Sequence, residues 1–324
     1  VSTNRTHRNR LARALAAIDG IGYQQALQRV IAAADAGQLP DPLDPAGIRR
    51  ALDQLAHTNH AEAATTPTAL PPRYQRLAQI FPDRLHPGVR ERVARAHALG
   101  VPALRCRGSY DPAEILGAVT DDPSHLDPGL DTDWWQRVVT AGPRPDCALP
   151  DPYPPGSSPD GCLPLDRALD RRDATGDIDA YEQALRAITR REPRDVDAHA
   201  HLGNLYLDLA DPSSPLVVTP PPDQRQRRAW LRTALGHYQT AVGVAELALP
   251  DPFTGVLTWS ELDNRPLHRA LQGLALTLWR LGRVGTAEQV VHNMLWLDPR
   301  NCQNAHALLT EFRSARPSEG AAPQ

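Results

Sequence analysis

Two stretches decide the fold: His199-Ala200-His201-Leu202-Gly203-Asn204-Leu205-Tyr206 and Ala234-Leu235-Gly236-His237-Tyr238-Gln239-Thr240-Ala241. In the first, Leu202 and Gly203 stand four and three positions before Tyr206; in the second, Ala234, Tyr238 and Ala241 repeat that spacing. Such spacing places side chains on one face of an α-helix. Between the two lie about nineteen residues, 211–229, which include Pro220-Pro221-Pro222. Proline breaks helices, so this segment reads as a loop inserted between two helices.

Working outward, the same frame returns. Leu274-Ala275 and Leu278 are followed by Gly282, Ala287 and Leu297-Asp298-Pro299. Upstream, Gly176, Leu185 and Glu192-Pro193 keep the phase, with Tyr181 where the frame asks for Ala. Self-similarity of this kind is the signature of stacked repeats. These residues resemble the tetratricopeptide repeat family over roughly 162–313. In that family a small residue lets helix A approach helix B, and a terminal proline closes each unit. Trp259 to Leu309 is more similar to bacterial repeat proteins distantly like the suppressor of tumorigenicity 7 family, a likeness that implies no activity.

The resemblance implies a mainly α protein with a C-terminal α-α superhelix of hairpins at 162–195, 196–250 and 268–301. A capping helix at 302–313, with Leu308 and Leu309 in phase, covers the open end of the stack. It also implies a peptide-binding groove lined by the A helices. Carried across by position, the groove residues are Asp166 and Asp170, then Ala200, Asn204 and Asp208, then Arg269, Gln272 and Arg280, and last His306. Acid followed by Arg suggests a polar or bipolar peptide. One groove type clamps a C-terminal carboxylate with Lys and Asn; Asn204 stands at the Asn position, but Ala200 replaces the Lys.

The rest of the chain is less regular. Residues 1–37 read as a basic helical hairpin, with Leu11, Ala14, Leu15 and Ile18 in helical phase and Gly20 as its stop. Arg5, Arg8, Arg10 and Arg13 crowd its leading edge and are candidate nucleic-acid contacts, reaching phosphates without reading bases. Residues 38–140 form an irregular helical region. It holds a helix from Gly88 to Leu99, strand character at Val101 to Cys106, a helix start at Asp111-Pro112, and a short helix at Trp134-Trp135. Seven prolines within 141–160 predict a stiff, extended linker over 141–161. Residues 316–324 read as a disordered tail.

Composition narrows the function. The 324 residues carry a net charge of −3, and all 35 basic residues are Arg, which alongside abundant Ala and Pro reads as a composition bias. Without Lys no Walker-type phosphate loop is possible. There is neither a G-x-S-x-G elbow nor an H-E-x-x-H motif. His57, His60 and Glu62 have helical spacing for a metal but run into a Pro- and Thr-rich loop. Cys106, Cys147, Cys162 and Cys302 form no C-x-x-C pair, which argues against a disulfide framework. Cys106 reads as a buried structural thiol, and His199, His201 and His237 as packed histidines that come near one another. No apolar run is long enough to span a bilayer, and the expected compartment is the cytoplasm.

The function expected is a non-catalytic scaffold that binds a partner protein or peptide, with no cofactor and no metal. Self-association of the stack is a further possibility. Two other readings stand beside it: a nucleic-acid-binding regulator using the Arg-rich hairpin, and an enzyme with an unrecognised domain at 41–140.

Overall fold

The computed structural model describes residues 11, 30, 33, 39–40, 47, 50–52, 74–82, 85–112, 138, 140–153, 162–214, 216, 222–300 and 304–314. The chain forms two compact units. The first comprises residues 1–69 and 117–130; in it Leu11, Val30, Ala33 and Ala51 are helical and buried. The second comprises residues 70–116 and 131–324 and is mainly helical.

The second unit is built on six consecutive helices. They are α3 (Pro164–Thr175), α4 (Ile178–Arg191), α5 (Val196–Leu209), α6 (Gln224–Glu246), α7 (Arg265–Arg280) and α8 (Val284–Leu297). A last helix, α9 (Ala305–Ser314), follows. Two short helices precede them, α1 (Leu77–Ile80) and α2 (Val89–Ala98), with strands β1 (Arg105–Tyr110) and β2 (Arg144–Ala148). Each helix of the series packs on the next, and α7 packs on both α5 and α6.

Local chemistry sets the boundaries. Pro164 opens α3, where its missing N–H is no loss, and Gly176 closes it in the left-handed region at φ 67°. Asp177, Asp195 and Asp223 cap α4, α5 and α6 by accepting the N–H of Ala180, Ala198 and Gln226. After α7, the Gly282 N–H reaches the Trp279 carbonyl and the Arg283 N–H reaches that of Leu278. That pair of hydrogen bonds is the Schellman stop, and it needs the positive φ of 78° that Gly282 supplies.

The core is tightest around Tyr238, which is fully buried. A Cβ on either Gly203 of α5 or Gly273 of α7 would overlap its ring. The two glycines therefore let α5 and α7, which also pack on each other, both close on the Tyr238 ring of α6. From Ala234 to Glu246, α6 is buried on nearly every side, as expected of a helix enclosed by neighbours. Part of its surface is covered by α1, α2 and His86. A Cβ on Gly236 would meet the His86 ring at 2.7 Å, and one on Gly243 would meet Val93 at 2.9 Å.

Three boundaries differ from expectation. The stretch predicted as a linker contains β2, which pairs antiparallel with β1. The other edge of β2 bonds to residue 256: Val256 N–H donates to the Pro145 carbonyl, and Cys147 N–H to that of Val256. Buried Arg144 donates to the Trp296 carbonyl over 2.9 Å and lies 4.1 Å above that residue's ring. The Tyr153 hydroxyl donates to the buried cap Asp195 over 2.7 Å. Prolines here end helices but leave enough N–H groups for a short strand; residues 154–161 lie outside the described residues. Second, the strand expected at 101–106 lies at 105–110, four residues later. Third, α6 starts at Gln224, inside the predicted loop 211–229, because Asp223 caps it there. The helix from Gly88 to Leu99 and the final helix come within a few residues of their predicted bounds.

Candidate functional site

One polar network runs across α3, α4, α5 and α7. The Arg172 guanidinium lies over the Tyr181 ring at 5.0 Å. The Tyr181 hydroxyl shares a 2.9 Å hydrogen bond with His201 Nδ1, and His201 Nε2 lies 3.7 Å from Asp197 Oδ1. Asp197 in turn receives Arg269 in a two-pronged contact, Nε to Oδ1 at 3.1 Å and Nη2 to Oδ2 at 2.5 Å. Helical spacing explains the assembly: Asp197 and His201 are one turn apart on α5, so both face α4 and α7. Burial pushes the His201 pKa down, while Asp197 opposes that shift.

A second group sits two turns further along α5. Asn204 Oδ1 accepts from the Tyr238 hydroxyl at 2.7 Å. Arg280 of α7 pairs with Asp211 at 2.8 Å and donates to the Leu207 carbonyl at 3.3 Å. Asp208 lies in its field: partial burial raises the Asp208 pKa, and Arg280 pulls it back. On α9, burial likewise raises Glu311, again opposed by Arg280. Between α4 and α5, Arg186 and Glu182 converge on the Tyr206 hydroxyl, at 2.7 and 2.6 Å.

The predicted site residues are thus placed unevenly. Asn204, Asp208, Arg269 and Arg280 fall on the adjoining α5 and α7, each partly or fully exposed, and Gln272 is half-buried between the two Arg positions. His306 is half-buried on α9. Asp166 is an end-of-helix residue instead: its Oδ2 accepts the Leu163 N–H at 3.2 Å, closing the start of α3. Asp170 is exposed on α3. Ala200 is fully buried, so it contributes core and not lining. Arg5, Arg8, Arg10, Arg13, His57, His60 and Glu62 lie outside the described residues.

Arg172, Tyr181, Asp197 and His201 were missed as a set. The i, i+4 pair Asp197/His201 was the available signal, but their partners on α3, α4 and α7 are distant in sequence. Of the three histidines expected to meet, His199 and His237 do, with ring centroids 6.1 Å apart, while His201 turns to Tyr181. Burial pushes His199 down to about 3 and His237 well below its usual value, so both are neutral in the fold. Cys106, expected to be buried, is exposed on β1.

Elsewhere, a shallow depression lies between Val101, Pro102, Pro150, Pro152 and α6. Its one charged wall, Arg194, is held by Glu192 at 2.7 Å. Among the described residues no cluster of His, Cys, Asp and Glu could hold a metal, and no helix is long and apolar enough to cross a membrane. Comparison with protein-family models, with curated proteins and with solved structures finds no match.

Proposed function

We propose that the second unit is a tetratricopeptide-type module that binds a segment of a partner protein along α3, α5 and α7. The observation that carries this reading is the charged ladder on those helices: Arg172, Asp197, Arg269, Asp208 and Arg280, with Asn204 among them. The Arg269–Asp197 and Arg280–Asp211 pairs leave roughly a quarter to a third of each side chain exposed. Such half-open pairs contribute little stability. They present a guanidinium edge to a ligand acid and a carboxylate edge to a ligand base. The ligand that fits is an extended peptide carrying both charges, recognised by charge-assisted hydrogen bonds. The close approach of Gly203 to Tyr238 supports the repeat reading, since Gly203 is the small residue at which helix A of that family would approach helix B.

The test is capture of partners by the full chain and by an Arg269→Ala/Arg280→Ala variant, from nuclease-treated and untreated lysates. Captured proteins are then reduced to peptides for direct titration. The reading requires a peptide that binds the wild type, is lost in the double variant and ignores nuclease. Capture that survives both changes and disappears with nuclease moves the working site away from α5 and α7.

A further inference from the structure

We propose that Cys106 and Cys147 are a redox-active thiol pair, oxidised by a peroxide to a disulfide across the β1–β2 ribbon. The two residues are direct partners in the antiparallel register, and both are free thiols. The hydrogen bonds define what kind of pair they are. The Cys147 N–H donates to the Val256 carbonyl and the Cys147 carbonyl accepts from Asn264 Nδ2, so both of its backbone groups point away from β1. Cys106 and Cys147 therefore form a non-hydrogen-bonded pair, in which the Cα atoms stand about 4.5 Å apart and the side chains are closest. That separation lies inside the range of roughly 4.4–6.8 Å that a disulfide spans. No other cysteine faces a thiol in the ribbon.

The surroundings divide the roles. Cys106 is exposed and open to an oxidant; Cys147 is 2% exposed and shielded from one. Burial, together with a hydrogen bond to the Cys106 sulfur, pushes the Cys147 thiol up to about 12. Its exposure makes Cys106 the thiol that reacts first. Its sulfur attacks one peroxide oxygen, the O–O bond breaks, and the products are a Cys106 sulfenic acid and one water from hydrogen peroxide. Cys147 then attacks that sulfur, the S–O bond breaks, and a second water leaves with the Cys147 proton. The sulfurs have together lost two electrons, which the peroxide has gained. The ribbon tolerates the closure because β1 carries a bulge between Cys106 and Gly108, where a strand bends and twists most easily.

The experiment uses the full reduced chain treated with hydrogen peroxide, then alkylated and mapped by mass spectrometry without reduction. Expected is an intramolecular Cys106–Cys147 crosslink, with the chain lighter by two hydrogens and dithiothreitol restoring both thiols. Cys106→Ser, a change at an exposed position, abolishes the crosslink. A chain carrying Cys162→Ser and Cys302→Ser keeps it. Accumulation of sulfinic or sulfonic acid at Cys106 with Cys147 still a thiol overturns the proposal. So does a crosslink from Cys106 to Cys162, to Cys302 or to a second chain.

Discussion

The Tyr238 hydroxyl donates to Asn204 Oδ1 over 2.7 Å, joining the polar face of α5 to the side chain at the centre of the helical stack. The same ring is gripped by Gly203 and Gly273, so one residue of α6 sets the approach of both α5 and α7. Removing the hydroxyl keeps the packing and deletes one hydrogen bond. Tyr238→Phe is expected to lose about 1 kcal/mol in urea unfolding, with α5–α7 packing retained by near-ultraviolet circular dichroism.

Gly273 and Gly285 separate steric demand from helix propensity. Alanine is the better helix former at both. At Gly273 its methyl would overlap the buried Tyr238 ring, whereas at Gly285 nothing lies within 4 Å. Overpacking outweighs propensity in a closed core. Gly273→Ala is expected to destabilise by about 2 kcal/mol or more, and Gly285→Ala to leave the midpoint unchanged or raise stability by up to ~1 kcal/mol. Equal effects at the two positions would falsify the Tyr238 wedge.

Glu246 is buried where α1 meets α6, accepting the Tyr74 hydroxyl at 2.8 Å and the Leu77 N–H at 2.7 Å. Burial raises its pKa from 4.5 to about 7, so the folded state holds a proton that the unfolded state has released. Its contribution is full below pH 4.5 and is lost as pH rises through about 7. Glu246→Gln cannot titrate. The difference in unfolding free energy, variant minus wild type, should therefore grow between those pH values and level off above them. A difference that stays constant with pH removes Glu246 from the account.

His199 acts with the opposite sign. Its pKa falls from 6.5 to about 3 on burial, so the unfolded chain binds the proton that the fold refuses. Stability from this site is present above pH 6.5 and is lost as pH falls toward 3. His199→Phe should flatten the acid limb of a stability–pH profile, measured against wild type in urea melts from neutral to acid pH. An acid limb as steep as before assigns the loss to other groups.

Arg269 and Asp197 test the binding surface itself. Their side chains are 32% and 23% exposed, so Arg269→Ala or Asp197→Ala should change stability by no more than about 1 kcal/mol. Binding of a bipolar peptide, read by fluorescence anisotropy, should weaken about tenfold or more on loss of Arg269, with the effect fading at high salt. A loss of folding matching the loss of binding would make the pair structural.

Sequence alone determined the helical phase. Gly203, Tyr238, Gly282 and Ala287 sit at spacings that a 3.6-residue period reads directly, and Gly88 and Gly100 bracket α2 because only glycine takes their left-handed backbone cheaply. It also placed Asn204, Asp208, Arg269 and Arg280 on neighbouring helices. What it did not contain were partnerships across long separations. Arg269 meets Asp197, Cys106 meets Cys147, and Glu246 meets Tyr74 only once the chain has folded. Prolines at 143, 145 and 150 read locally as a linker, since composition reports the absence of a helix but not the presence of a neighbour. Tertiary structure decided that this stretch is a strand, because Val256 and Asn264 satisfy the backbone groups of β2 on the edge away from β1. Buried N–H and C=O groups must find partners, and where those lie a hundred residues away, local sequence carries no trace of them.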